Sequence, residues 1–139
     1  MIGILFATER EAAPFLGMVT SEKHQDSPFI THVFRTSGHQ AHGFDGVVLI
    51  AGIGPAAAAT GTRHLLDQYR LRAVVNAGIC GALGDAPGVG DIVRISEARL
   101  CRDIETGDGD PVEVLAASPA SLWPELPTAR LVTSPVPVF

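Results

Sequence analysis

The stretch Val47-Val48-Leu49-Ile50-Ala51-Gly52-Ile53-Gly54-Pro55-Ala56-Ala57-Ala58-Ala59 decides the fold. Four consecutive β-branched or leucine residues suit a strand covered on both faces, because a half-exposed strand would alternate apolar with polar. Gly52 and Gly54 allow a tight turn and let a ligand approach bare backbone. Pro55 suits the first helical position, where its missing N–H removes no intrahelical bond. The alanine run then predicts a helix packed closely against its sheet. Backbone N–H groups at such a turn point outward and offer a site for anions or polar ligand groups.

A dinucleotide site uses similar parts, and Gly52-x-Gly54-x-x-Ala57 fits the loose form of its fingerprint. The acid that should follow about 20 residues later is missing. The next predicted strand, Arg72-Ala73-Val74-Val75-Asn76, ends in Asn76 instead. The sequence therefore speaks against a nicotinamide or flavin, and no cofactor is expected. A strand-to-helix turn with only a packing role is the plain alternative.

Moving outward, the whole chain is 139 residues long, which suits one domain with a real core. Hydrophobic residues make up 46% and charged residues 18%, a balance that argues against disorder. The net charge is −5 with no basic cluster, so nucleic acid and anionic membranes are not expected partners. No apolar run approaches the length of a membrane span. The start, Met1-Ile2-Gly3-Ile4-Leu5-Phe6-Ala7, has no basic flank and reads as a first strand, not a signal peptide. Cys80 and Cys101 form neither a zinc spacing nor a disulfide framework. A cytoplasmic protein with free thiols is the expectation, with Cys80 a small buried core residue by default.

In chain order, residues 2–7 predict a strand. Thr8, with Glu11 three positions later, has the form of a capping box, so a helix starts there. Capping is a sufficient job for Glu11 without catalysis. The carboxyl end of a first parallel strand is nevertheless where α/β folds place ligands. Residues 20–46 are polar, with 29–36 a predicted strand in a hairpin. His39 and His42 lie in a turn without a third ligand, which speaks against a metal. A helix is predicted over 55–69, with Leu65, Leu66 and Tyr69 inward and His64, Asp67 and Gln68 toward water. Another buried strand over 73–76 runs into a second glycine turn, Asn76-Ala77-Gly78-Ile79-Cys80-Gly81-Ala82-Leu83. Two strand–turn units joined by one helix make a βαβ crossover, with both turns at one sheet edge. That convergence points to a small-molecule pocket. Further on, 92–95 reads as a strand, and Asp103, Glu105, Asp108 and Asp110 as a solvated loop lacking the calcium-loop pattern. A last strand is predicted from Arg130 toward Phe139, and its unpaired edge would invite association.

Four segments, in order, resemble the purine nucleoside phosphorylase and nucleosidase superfamily. They are Gly3-Ile4-Leu5-Phe6-Ala7-Thr8-Glu9-Arg10-Glu11, Ala51-Gly52-Ile53-Gly54-Pro55-Ala56-Ala57, Asn76-Ala77-Gly78-Ile79-Cys80-Gly81-Ala82-Leu83 and Val89-Gly90-Asp91-Ile92-Val93. The resemblance is closest to nucleosidases that cleave methylthioadenosine, S-adenosylhomocysteine or futalosine. It implies an α/β, three-layer phosphorylase/hydrolase-like fold with a central mixed sheet. It covers nearly all of this chain but only the N-terminal portion of the family's domain, so residues 1–139 are expected to form an incomplete nucleoside phosphorylase-like domain, with the C-terminal part missing.

The same resemblance implies hydrolysis of an N-glycosidic bond. Glu11 aligns with the family's water-activating glutamate, and Ile53 with a residue beside the ribose and water. Ile79, Cys80 and Gly81 match the turn that borders the nucleoside, and Phe139 resembles the aromatic residue that stacks on the purine. Family phosphorylases hold phosphate with arginines; Arg10 is present here, but Val75-Asn76 holds none where the second would lie, which favours hydrolysis over phosphorolysis. The run Glu105-Thr106-Gly107-Asp108-Gly109-Asp110 resembles one in futalosine enzymes. The family's ribose-gripping glutamate and its general acid would lie beyond Phe139. The resemblance thus leaves three expectations: a fragment, a chain completed by another chain, or a non-catalytic nucleoside-binding or assembly module, with homo-oligomers expected.

Overall fold

The computed structural model describes residues 1–26, 28–36, 45–85, 87–100, 113–116 and 123–133. They belong to two compact units, Met1–Cys80 and Gly81–Phe139. The first unit contains β1 (Ile2–Phe6), α1 (Glu9–Leu16), β2 (Thr20–Asp26), β3 (Phe29–Arg35), β4 (Asp45–Ile50), α2 (Pro55–Gln68) and β5 (Val74–Asn76). Its sheet has the order β2-β3-β4-β1-β5. β1 runs parallel to β4 and β5, whereas β2, β3 and β4 pair antiparallel, so the sheet is mixed as expected.

The apolar run of β4 lies at the centre. Val47, Val48 and Leu49 are all fully buried. Because successive strand residues point to opposite faces, they serve two cores at once. Val48 joins Ile4, Phe6, Phe34 and Ala12 of α1 on one face. Val47 and Leu49 join Leu5, Phe29 and Leu65 of α2 on the other. The sheet is therefore sandwiched between the two helices.

α2 rides close to the sheet at one place. A side chain at Gly61 would put its Cβ 3.0 Å from Ala51 Cβ and 3.1 Å from Leu5 Cδ1. Ala58, Gly61 and Leu65 form the inward stripe at helical spacing. The expected stripe of Leu65, Leu66 and Tyr69 fails at Leu66, which is 57% exposed. His64, expected to face water, turns inward instead, with its ring 5.0 Å from that of Phe29. A helix advances about 100° per residue, so once Gly61 and Leu65 face the sheet, Leu66 is carried out of it.

Two further strands differ from the sequence reading. β2 is polar throughout and pairs with β3 from Thr20↔Arg35 to Asp26↔Phe29. Its apolar content gives no strand signal because it lies at the sheet edge, where a lysine such as Lys23 suits an exposed border. Lys23 pairs there with Glu9 of α1 at 3.5 Å. β5 is half-buried, not buried, and among the described residues it has a strand neighbour on one side only.

The second unit holds β6 (Arg94–Leu100), β7 (Glu113–Ala116) and β8 (Thr128–Thr133), in the order β7-β6-β8. β6 is antiparallel to β7 and parallel to β8. The strand expected at 92–95 begins only at Arg94, whose N–H is held by Pro127 O at 2.8 Å, while Ile92 before it is 70% exposed. Within β6 the Arg99 guanidinium donates to Glu97 and holds that carboxyl below its ordinary range. The final predicted strand is β8, paired to β6. Residues 134–139, the acidic run and His39 and His42 lie outside the described residues.

Two outcomes follow from the packing. A Cβ at Gly46 would fall 2.3 Å from Phe34 Cζ, and Phe34 is 1% exposed and has nowhere to go. Gly46→Ala should therefore lose about 1–3 kcal/mol in urea unfolding, the range for overpacking. His32 has its pKa lowered, first by burial, then by the charge of Lys23 and lastly by His24, against a raising effect of Glu9. The unfolded chain then binds more protons below its ordinary histidine value of 6.5. Stability should be complete above that pH and decline as pH falls toward the lower folded value. Melting temperatures of His32→Gln should fall less steeply over this window than those of the unmodified protein.

Candidate functional site at the carboxyl edge of the sheet

Parallel pairing of β4, β1 and β5 places the turns that follow them at one sheet edge. Backbone bonds carry the ladder into these turns: Ala51 N–H donates to Phe6 O at 2.9 Å, Gly52 N–H to Ala7 O at 3.0 Å, and Ala77 N–H to Leu5 O at 2.9 Å. The turn after β1 is thereby fixed between the two glycine turns. This is the convergence expected from the βαβ unit, with β1 inserted between its two strands.

Glu11 sits in the middle of this arrangement. The capping box is formed: Glu11 N–H donates to Thr8 Oγ1 at 3.2 Å, and Thr8 N–H donates back to Glu11 Oε2 at 2.9 Å. The Thr8 hydroxyl also donates to Oε2, at 3.1 Å. The other oxygen, Oε1, accepts from Ile79 N–H at 3.2 Å. A Cβ at Gly78 would lie 3.2 Å from that same Oε1, so the missing side chain gives the carboxylate its room. Glu11 therefore caps α1 and also reaches the second glycine turn, 68 residues along the chain.

The first glycine turn has φ of +95° at Gly52 and +100° at Gly54, values that suit glycine. Gly54 is the N-cap of α2 and Pro55 its first residue, and among the described residues no side chain caps this end. The first intrahelical bond is Ala58 N–H to Gly54 O at 3.0 Å, so the N–H groups just before Ala58 have no helical acceptor. Ile53 on this turn is 83% exposed and Ile79 on the other is 80% exposed. Cys80 is exposed, not a buried core residue, because the chain has already left β5 when it reaches Cys80. Gly81 is exposed and is the first residue of the second unit. Phe139 lies outside the described residues. Among the described residues no group of three or more His, Cys, Asp or Glu could hold a metal, and no helix is long and apolar enough to cross a membrane.

Such an edge can do definite chemistry. A carboxylate with bonds to both oxygens is held in one orientation. Two turns of exposed backbone flank it, and Ile53 and Ile79 supply apolar surface. The bond from Ile79 N–H has no signature in residue types, since any residue but proline could donate it; only the Thr8–Glu11 spacing was readable.

The sequence profile of the phosphorylase superfamily matches residues 1–132. The chain belongs to that family. A 5′-methylthioadenosine/S-adenosylhomocysteine nucleosidase of Shewanella denitrificans is 35% identical over 125 residues, covering 89% of this chain and 52% of that protein. The solved nucleosidase of the same specificity from Colwellia psychrerythraea, in complex with adenine, is 32% identical with a TM-score of 0.64, over 86% of this chain and 48% of that one. A futalosine hydrolase mutant of Helicobacter pylori shares the fold, with a TM-score of 0.73 at 17% identity, over 99% of this chain and 70% of that one. The chain spans about half the length of the curated relatives it matches.

The cap itself has a measurable weight. Thr8→Ala removes the hydroxyl that accepts from Glu11 N–H, and should cost about 1 kcal/mol of stability in chemical denaturation.

Proposed function

We propose that the native protein hydrolyses the N-glycosidic bond of a purine-type nucleoside, of the methylthioadenosine, S-adenosylhomocysteine or futalosine class. The observation that carries this reading is the Glu11 carboxylate, fixed between the cap of α1 and the second glycine turn at the carboxyl ends of three parallel strands. Family membership and the nucleosidase relatives support the substrate class.

The chemistry asks for a base on one side of the sugar. Glu11 takes a proton from water as the water oxygen bonds to the anomeric carbon. The carbon–nitrogen bond breaks, and its electron pair leaves with the purine. The ribose carries positive charge in the transition state, which a nearby carboxylate favours. Ile53, Ile79 and Cys80 border the nucleoside in this reading. Phosphorolysis would instead require cationic side chains for phosphate. Arg10 is exposed on the first turn of α1, and no arginine stands in β5 or the turn up to Cys80.

The test is release of the free base from each of the three nucleosides by the native protein, followed by chromatography. Glu11→Gln should reduce the rate by about 10²–10⁴-fold, the usual weight of a positioned base. Full activity in Glu11→Gln would defeat the assignment.

A further inference from the structure

An ionised carboxylate offers about four lone-pair sites, and on Glu11 they are filled unevenly. Oε2 accepts twice, from Thr8 N–H at 2.9 Å and from the Thr8 hydroxyl at 3.1 Å. Oε1 accepts once among the described residues, from Ile79 N–H at 3.2 Å. The hydroxyl is itself oriented, because it accepts from Glu11 N–H at 3.2 Å and so directs its one hydrogen to Oε2. Among the described residues, the lone pair without a protein donor is therefore on Oε1. That oxygen faces Gly78, where a Cβ would lie 3.2 Å from it.

We infer that Thr8 is a positioning residue for the reaction: its N–H and hydroxyl saturate Oε2, hold the carboxylate plane so that Oε1 meets the second glycine turn, and leave Oε1 as the oxygen that takes the proton from water. In the step, the water O–H bond breaks, its proton goes to Oε1, and the remaining oxygen bonds to the anomeric carbon while the purine departs with the electron pair. The proton-accepting role rests on the proposed reading of Glu11. The orientation of the carboxylate stands independently of it.

Two variants separate the hydroxyl from the shape of the side chain. Thr8→Val keeps the β-branch and loses the hydroxyl, whereas Thr8→Ser keeps the hydroxyl. Amide hydrogen exchange at Ile79 reads the orientation directly, and exchange at Leu49, in the centre of β4, reads global opening. In Thr8→Val, Ile79 should exchange about three- to tenfold faster relative to Leu49, the weight of roughly one hydrogen bond. In Thr8→Ser the ratio should return to that of the unmodified protein. In the native protein, Thr8→Val should lower kcat about tenfold with KM unchanged, and Thr8→Ser should restore it. An Ile79-to-Leu49 ratio that does not change in Thr8→Val overturns the positioning role and leaves the nucleosidase reading intact. A ratio that changes as expected while Glu11→Gln remains fully active keeps the orientation and overturns the proton-accepting role together with the proposed function.

Discussion

The burial of β1 and β4 on both faces is the constraint on which the site depends. Leu5 is 2% exposed, and Val47, Val48 and Leu49 are fully buried. Strands held between two helix layers cannot slip by one residue without sending core side chains to the wrong cluster. Register is thus fixed, and with it the height at which each strand ends. The turns after β1, β4 and β5 come to one edge for that reason. Close packing at Gly61 and the ring of Phe34 over Gly46 add to the same rigidity. A carboxylate held on such elements keeps its geometry better than one on a free loop.

Glu11 shows how a local signal and a distant contact combine. The capping box would form in almost any helix with this spacing, and it stabilises α1 whatever else the residue does. The same bonds leave one oxygen turned toward the second glycine turn. Capping therefore does not keep the carboxylate from the second glycine turn. The cap is the means by which the carboxylate is aimed, and Ile79 N–H is what it is aimed toward.

Much of this was legible in the sequence, for reasons that differ by element. The continuous apolar run of β4 announced two-sided burial, and the Thr8–Glu11 spacing announced the start of α1. The two glycine turns were placed correctly at one edge. β2 was hidden because an edge strand needs little apolar content when its backbone is paired on one side. The inward face of α2 was misphased because Leu66 looks like core by type, whereas the close approach at Gly61 sets the rotation and brings His64 inward. Cys80 looked like core because cysteine usually is, but its position two residues past Gly78 puts it on the turn. The backbone donor to Glu11 could not be read from residue identity at all.

Water as the nucleophile is the central claim of the proposed function, and the fate of the sugar tests it most directly. The native protein should be given methylthioadenosine in ¹⁸O-labelled water containing phosphate, and the products analysed by mass spectrometry. Hydrolysis should give free sugar with one ¹⁸O at the anomeric carbon, alongside free adenine. Sugar 1-phosphate without the label, or no cleavage of this nucleoside, S-adenosylhomocysteine or futalosine, would contradict it.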